Sequence, residues 1–298
     1  MFFLLFTPNC FVYADTIDLV PVADTCLIEI APTNNMGGEI YFNAGSTLNG
    51  TRNRGLLRFD LTAIPAGSTI QSAVFSVRVV QIPSDMPASS IFDLHRMLQN
   101  WGEGNKLGTQ GPGRGSPATT NESTWNDRFA FANAPWTIPG AEPTNDYIPA
   151  KSAEQFVTDI GSSPYEFSSG QLTADVQFWL DHPQSNFGWL MKSRDEDTPS
   201  TARRFASRED PDRTPVLSIT YSEPPPPQIS DMQVSGDLFR FKFLARPGKN
   251  YTVQFCDGFA GTNSWNTLGT VEAQPVDTTV IVLDSLSSGQ RFYRISTP

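Results

Sequence analysis

The chain has 298 residues, 39% hydrophobic and only 17% charged, with 22 Gly and 24 Pro, a mix that suits short strands joined by many turns and speaks against long helical repeats. Its formal net charge of -10 would repel a phosphate backbone, which excludes nucleic acid as the expected partner. The length allows one large domain or two ordinary ones, and neither would need disulfides or metals to stay folded.

Residues 1–14 read as a signal peptide: Met1 to Phe6 are almost all apolar, and Val12-Tyr13-Ala14 offers a Val-x-Ala cleavage pattern before Asp15. The alternative is a buried first strand. No later segment approaches the roughly 20 apolar residues of a membrane helix, so the expected mature chain has no membrane span and is secreted or held at the cell surface. Cleavage would remove Cys10, and Cys26 and Cys256 then read as two buried free thiols rather than a bridge between candidate domains.

Strand-like runs follow at 25–30, 39–43, 55–59, 71–80, 91–97 and 216–221, with Pro65-Ala66-Gly67 as a turn. Residues 102–149 form a long excursion rich in Gly, Pro, Asn and Thr, which needs its own aromatic anchors in Trp125, Phe129, Phe131 and Trp136. One helix is expected. Thr173 can cap it, Asp175 falls in its first turn, Val176, Trp179 and Leu180 share a face, and His182-Pro183 ends it. Phe187-Gly188-Trp189-Leu190-Met191 reads as a strand buried on both faces.

The run Glu223-Pro224-Pro225-Pro226-Pro227 cannot lie inside a sheet and separates a second module. There, Phe239-Arg240-Phe241-Lys242-Phe243 alternates apolar and basic, and further period-two runs at 251–255, 279–283 and 291–295 are punctuated by turn signals at 247–250 and 287–290. The expected architecture is all-β: a jelly-roll-like antiparallel β-sandwich over 15–222, a proline-rich linker over 223–228 and a smaller antiparallel β-sandwich over 229–298.

Arg54-Gly55-Leu56-Leu57-Arg58-Phe59-Asp60-Leu61, Ile64-Pro65-Ala66-Gly67 and Ile70-Gln71-Ser72-Ala73 together resemble the signature of the DNRLRE family of bacterial extracellular modules. The resemblance continues through His95-Arg96-Met97, Trp101-Gly102-Glu103-Gly104, Ser123-Thr124-Trp125, Gly188 to Lys192, Phe205 to Glu209 and Pro215 to Tyr221, covering about Ile17 to Tyr221. It implies a jelly-roll-like sandwich in exported bacterial proteins, often beside enzymes or in cell-surface chains, with some relatives binding acidic polysaccharides such as alginate. Phe239 to Phe243, Gly248 to Gln254 and Arg291 to Arg294 are similar to short C-terminal β modules of secreted planctomycete and verrucomicrobial proteins, which implies location alone.

Catalysis finds little support in the residues. There are only 2 His and no Gly-x-Ser-x-Gly elbow; His95 sits in an alternating strand as a structural histidine, and His182 at a helix end. Glu103 and Asp127 form the one pair of carboxylates worth weighing for glycoside hydrolysis, and loop acids or calcium ligands explain them better. Calcium is the one cofactor worth considering, with Asp24, Glu103 and Asp127 as candidate ligands, since oxygen-rich loops of sandwich modules often hold it. Asp195-Glu196-Asp197 reads as a hairpin tip in water.

Arginine carries the remaining signal, because guanidinium forks match carboxylates bidentately. Arg52, Arg54, Lys192, Arg194 and Arg203 are the candidate glycan-binding cations, with Trp136 as an exposed stacking ring; internal ion pairs with Asp60, Asp195, Glu196 or Glu209 are the competing explanation. Trp101 and Trp125 are expected as lids on the core, and Trp179 and Trp189 inside it. The expected function is therefore a non-catalytic secreted module that binds an acidic, uronate-containing polysaccharide. A structural or adhesive surface protein and, third, a divergent polysaccharide-active enzyme are the alternatives.

Overall fold

The structure is a computed structural model that describes residues 14–109, 111, 113–257, 265–286 and 291–297. The leader with Cys10 falls outside these residues apart from Ala14, as does the turn signal at 287–290. The chain is nearly all β and divides into two compact units: residues 14–64 with 69–222, and residues 223–298, with which 65–68 group.

The first unit is a jelly-roll-like antiparallel sandwich. Its strands are β1 (Ala14–Leu19), β2 (Pro21–Ile28), β3 (Asn34–Asn35), β4 (Tyr41–Ser46), β5 (Arg52–Phe59), β6 (Thr69–Val77), β7 (Val79–Gln81) and β8 (Ser90–Arg96). Then come β9 (Ser116–Pro117), β10 (Asp127–Phe129), β11 (Ala134–Pro135), β12 (Ala153–Val157), β13 (Tyr165–Ser168), helix α1 (Gly170–Asp181), β14 (Trp189–Ser193), β15 (Arg203–Ala206) and β16 (Val216–Ser222). One sheet runs β1-β16-β6-β13; the other runs β12-β8-β14-β5-β4-β15-β7, with β2 also paired to β5.

The two sheets treat alternation differently. In β16, Leu217, Ile219 and Tyr221 enter the core while Ser218 and Thr220 stay half-exposed, so this sheet keeps one wet face. In β14, Trp189 and Met191 enter the inter-sheet core, yet Leu190 is buried too, on the opposite face. What covers that face is the 102–149 excursion. Its Trp125, Trp136, Ala141 and Tyr147 pack with Trp101 on Ala23, Leu27, Leu56 and Leu190 as a second core. Phe131 and Phe129 are not anchors: Phe131 is 80% exposed and Phe129 half-buried.

The excursion is pinned by polar groups as well. Asn35, fully buried in β3, donates to the carbonyls of Glu103 (2.7 Å) and Ser123 (3.0 Å) and accepts from the Gly37 N–H (2.9 Å). Gly102 must lack a side chain, because a Cβ there would lie 1.7 Å from the Asn121 carbonyl oxygen.

Helix α1 begins earlier than its pattern suggests. Ser169, not Thr173, is the N-cap: its hydroxyl accepts from the Leu172 N–H at 3.0 Å, whereas the Thr173 hydroxyl donates back to the Ser169 carbonyl. Leu172, Val176 and Trp179 face the core. Asp175 lies mid-helix, buried, and accepts from the Trp189 Nε1 (3.1 Å) and the Ser152 hydroxyl while ion-pairing with Arg96 (3.1 Å).

Residues 223–229 carry no strand, consistent with four prolines that have no N–H to donate. The second unit contains β17 (Ser230–Ser235), β18 (Leu238–Ala245), β19 (Tyr251–Cys256), β20 (Asn266–Val271), β21 (Thr278–Ser285) and β22 (Phe292–Ser296). Two antiparallel sheets, β17-β18-β21 and β20-β19-β22, enclose Phe239, Phe241, Phe243, Tyr251 and Val253. The alternating Phe residues of β18 therefore build this small core, as period two requires. Cys26 and Cys256 are both free and buried, and burial pushes the Cys26 thiol up to about 12.

Candidate functional site

A concave feature of the first unit lies at the β7, β15 and β4 end of the larger sheet. Strand β15 runs antiparallel to β4 with Arg204 opposite Asn43, and to β7 with Arg204 opposite Gln81. Their neighbours in register, Phe42 and Phe205, stack at 5.5 Å inside the core, so alternation sends Asn43 and Arg204 to the other face. The Arg204 Nη1 donates to the Gln81 Oε1 at 2.5 Å, and its guanidinium lies over the Tyr41 ring at 4.2 Å.

Two loops turn this polar rung into a groove of about 310 Å³. One is the β4–β5 hairpin, closed by the Thr47 N–H to the Thr51 carbonyl at 2.8 Å, which contributes Thr47, Leu48, Asn49 and Thr51. The other is the excursion segment at Gly113 and Arg114, whose Gly113 carbonyl accepts from the Asn43 amide at 3.4 Å. Asn53, Ile30, Ile82 and Pro83 complete the wall. The lining thus combines amides, hydroxyls, aliphatic patches and three arginines, Arg114, Arg203 and Arg204, and among the described residues it contains no Asp, Glu, His or Cys. Neither Arg114 nor Arg204 makes an ion pair among the described residues, and Arg114 is exposed.

The cations expected from sequence are placed otherwise. Arg54 is buried: it donates bidentately to Glu196 (2.8 and 2.7 Å) and to the carbonyls of Gly140 (2.7 Å) and Ala141 (2.6 Å) beneath Trp125. Lys192 joins the same carboxylate at 2.9 Å. Burial opposes ionisation of Glu196, but hydrogen bonds and charge from Arg54 and Lys192 outweigh it and hold the carboxyl below its usual range. The tip 195–197 is accordingly not wholly in water, since Glu196 folds back while Asp195 and Asp197 stay exposed.

Arg203 is buried as well, because it shares the core-facing side of β15 with Phe205; its guanidinium donates to the carbonyls of Thr158 (2.8 Å), Ala88 (2.8 Å) and Ala202 (3.0 Å). It reaches the groove wall without presenting a charge to it. Arg52 is held bidentately by Glu29 (2.6 and 3.2 Å), and Arg194 by Asp93 (2.6 and 3.0 Å) with Glu154 beside it. Glu29 and Asp93 thus engage these two guanidinium forks within the chain. Trp136 is 2% exposed, with its Nε1 donating to the Thr124 carbonyl at 2.9 Å, so it anchors the second core and is not an exposed stacking ring.

The candidate calcium ligands come together in part. Asp24 and Glu103 meet Glu209, one oxygen of each lying within 4.8 Å of the others, whereas Asp127 sits apart in β10. Arg208 already occupies the position a cation would take. Its Nε pairs with Glu103 (2.6 Å) and Glu209 (2.9 Å), and its backbone N–H donates to Asp24 at 2.6 Å. Burial raises the Asp24 and Glu103 carboxyls above their usual range, with each other's charge and that of Glu209 adding to it for Asp24. Glu209 was missed in the sequence because it is separated from its partners by more than 100 residues; only the folded sheet brings β2, the loop after Trp101 and the turn after β15 together.

Both histidines meet backbone carbonyls. His95 Nδ1 lies 3.1 Å from the Ile148 carbonyl and its ring packs on Tyr147, with burial lowering its basicity. His182 Nδ1 lies 3.1 Å from the Phe178 carbonyl at the end of α1. Among the described residues no helix is long and apolar enough to cross a membrane. Set against protein-family models and against curated proteins, the chain finds no match.

Proposed function

We propose that this protein is a non-catalytic, secreted carbohydrate-binding module for an acidic polysaccharide, with the β4–β15–β7 groove as its binding site. The observation that carries the reading is a pair of arginines, Arg114 and Arg204, that have no carboxylate partner among the described residues and share a groove with Asn43, Asn49, Asn53 and Gln81. Guanidinium forks suit a uronate carboxylate, and amides suit sugar hydroxyls as both donors and acceptors. A lining without carboxylate or histidine favours holding a glycan over hydrolysing it, since hydrolysis needs a general acid and a base or nucleophile. Removal of residues 1–14 and the resemblance to DNRLRE modules over 17–221 would place the mature chain outside the cell. Calcium is optional in this reading, and an ion held by Asp24, Glu103 and Glu209 would have to displace the Arg208 side chain.

The test is affinity electrophoresis of the purified chain through gels containing alginate, pectate or a neutral glucan. Retardation by the uronate polymers, lost in the double variant Arg114→Ala/Arg204→Ala and unchanged in Arg52→Ala/Arg194→Ala, is the expected result. Equal retardation of the groove variant and the wild type would remove the groove from the proposal, and release of reducing ends would replace binding with catalysis.

A further inference from the structure

The second unit has four edge strands, and they are not alike. Strand β17 is interrupted by a register shift between Ser230 and Gln233, with Asp231 at φ 48, and β20 pairs with β19 through a register shift of its own. Strand β22 is short and carries Arg294. Bulges, short length and inward or central charge are the usual means of blunting an edge. Strand β21 has neither a bulge nor a short length, and its one charge, the inward Asp284, stands next to its last residue, away from the strand centre. It is eight residues long, Thr278-Thr279-Val280-Ile281-Val282-Leu283-Asp284-Ser285, without Pro, Gly, Lys or Arg, and it pairs with β18 over its whole length in unbroken register. No other strand pairs with it among the described residues.

From this edge we infer that two copies of the chain associate through antiparallel β21–β21 pairing about a two-fold axis at Ile281. The register is self-complementary. With Ile281 opposite its own copy, Val280 meets Val282 on the core side, Thr279 meets Leu283 on the outer side, and Thr278 meets Asp284, so no two like charges face each other. Ile281 and Leu283 are 53% and 55% exposed in the single chain, and the pairing lays them side by side on a continuous six-stranded sheet. Asp284, the one charge in the strand, is already buried against Arg291 (2.8 Å) and the Tyr293 hydroxyl (2.7 Å), so it does not repel its copy.

Charge distribution fits a second copy rather than a strongly basic or acidic partner. Residues 223–298 carry 7 acidic and 6 basic side chains, so the net charge of -10 resides almost wholly upstream. Lys242, the residue of β18 across from Ile281, is neutralised by Asp231 at 2.8 Å.

Sedimentation velocity of the full chain across roughly 1 to 200 µM tests the inference. The wild type is expected to shift from monomer to dimer over this range. Ile281→Lys and Ile281→Glu, each placing like charges opposite across the axis, should weaken the dimer at least about tenfold without lowering the melting temperature, and their equimolar mixture should dimerise again. Should either Ile281 variant fold poorly, the pair Leu283→Lys and Thr279→Lys/Leu283→Lys, the second of which sets like charges opposite in this register, should weaken the dimer in that increasing order. A wild type that stays monomeric throughout, an Ile281→Lys dimer as tight as the wild type, or a mixture that stays monomeric would overturn the pairing.

Discussion

Arg54 and Arg204 each stand on a strand of the larger sheet, but the regions around them differ. Around Arg54 the excursion closes over the sheet, water is excluded, and the guanidinium is matched by Glu196 and two backbone carbonyls. Around Arg204 the described residues of the excursion that line the groove are Gly113 and Arg114, and the guanidinium rests on Tyr41 and one amide. A covered arginine is spent on the fold, because leaving it or its carboxylate unpaired would cost several kcal/mol. An open one remains available to a ligand.

The largest effect should come from breaking the covered side. Arg54→Met leaves Glu196 largely buried with Lys192 as its remaining partner, and should cost about 3 to 5 kcal/mol in denaturant unfolding. Adding Glu196→Leu should recover much of that loss, which a purely steric role for Arg54 would not allow. Next is Asn35→Ala, which strips the carbonyls of Glu103 and Ser123 of their donor and should cost about 2 to 3 kcal/mol. Its signature would be early proteolysis within 102–149 while the inter-sheet core still resists.

A smaller effect separates the carboxylate cluster from both. Burial raises the Asp24 carboxyl in the folded state, so the fold binds that proton more tightly than the unfolded chain does. Stability carried by this group is then full below the unfolded value near 3.8 and is lost as pH rises through the raised folded value. Asp24→Asn should accordingly melt higher than the wild type at pH 7.5, with the gap closing as pH falls toward 4. A gap that widens on acidification would mean that Arg208 stabilises the ionised Asp24 after all.

The smallest stability effect is expected in the open region. Arg204→Ala and Arg114→Ala should each change unfolding free energy by less than about 1 kcal/mol, because neither side chain satisfies a buried charge. Their consequence should appear only in uronate binding. A large loss of stability in Arg204→Ala would erase the contrast with Arg54.

Several features of the site were within reach of the sequence by parity alone. Arg203 and Arg204 are adjacent in a strand, so they must face opposite ways, and Phe205 marks the core side; Arg203 had to be the buried one. The same reasoning did not extend to Arg54, since nothing local states that the outer face of β5 is covered by residues 102–149. Trp136 shows the same limit: a tryptophan in a polar loop looks exposed until the loop is seen to fold back onto Leu56 and Leu190. Helix α1 was legible as a helix, while its start was not: the apolar pattern points to Thr173 as the cap, whereas Leu172, one residue before it, already lies in the core and Ser169 is the cap.

Alternation, turn residues and the proline run by themselves determined that this chain is all-β, that Phe239, Phe241 and Phe243 share one face, and that Trp179 and Trp189 are core, because those properties depend on spacing along a few residues. Tertiary structure alone decided which cations are spent and which are open, that Glu209 joins Asp24 and Glu103, and that Arg114 comes beside Arg204. Those outcomes depend on where a 48-residue excursion from 102 to 149 lies across the sheet, and loop closure over such distances leaves no periodic trace in the residues that it brings together.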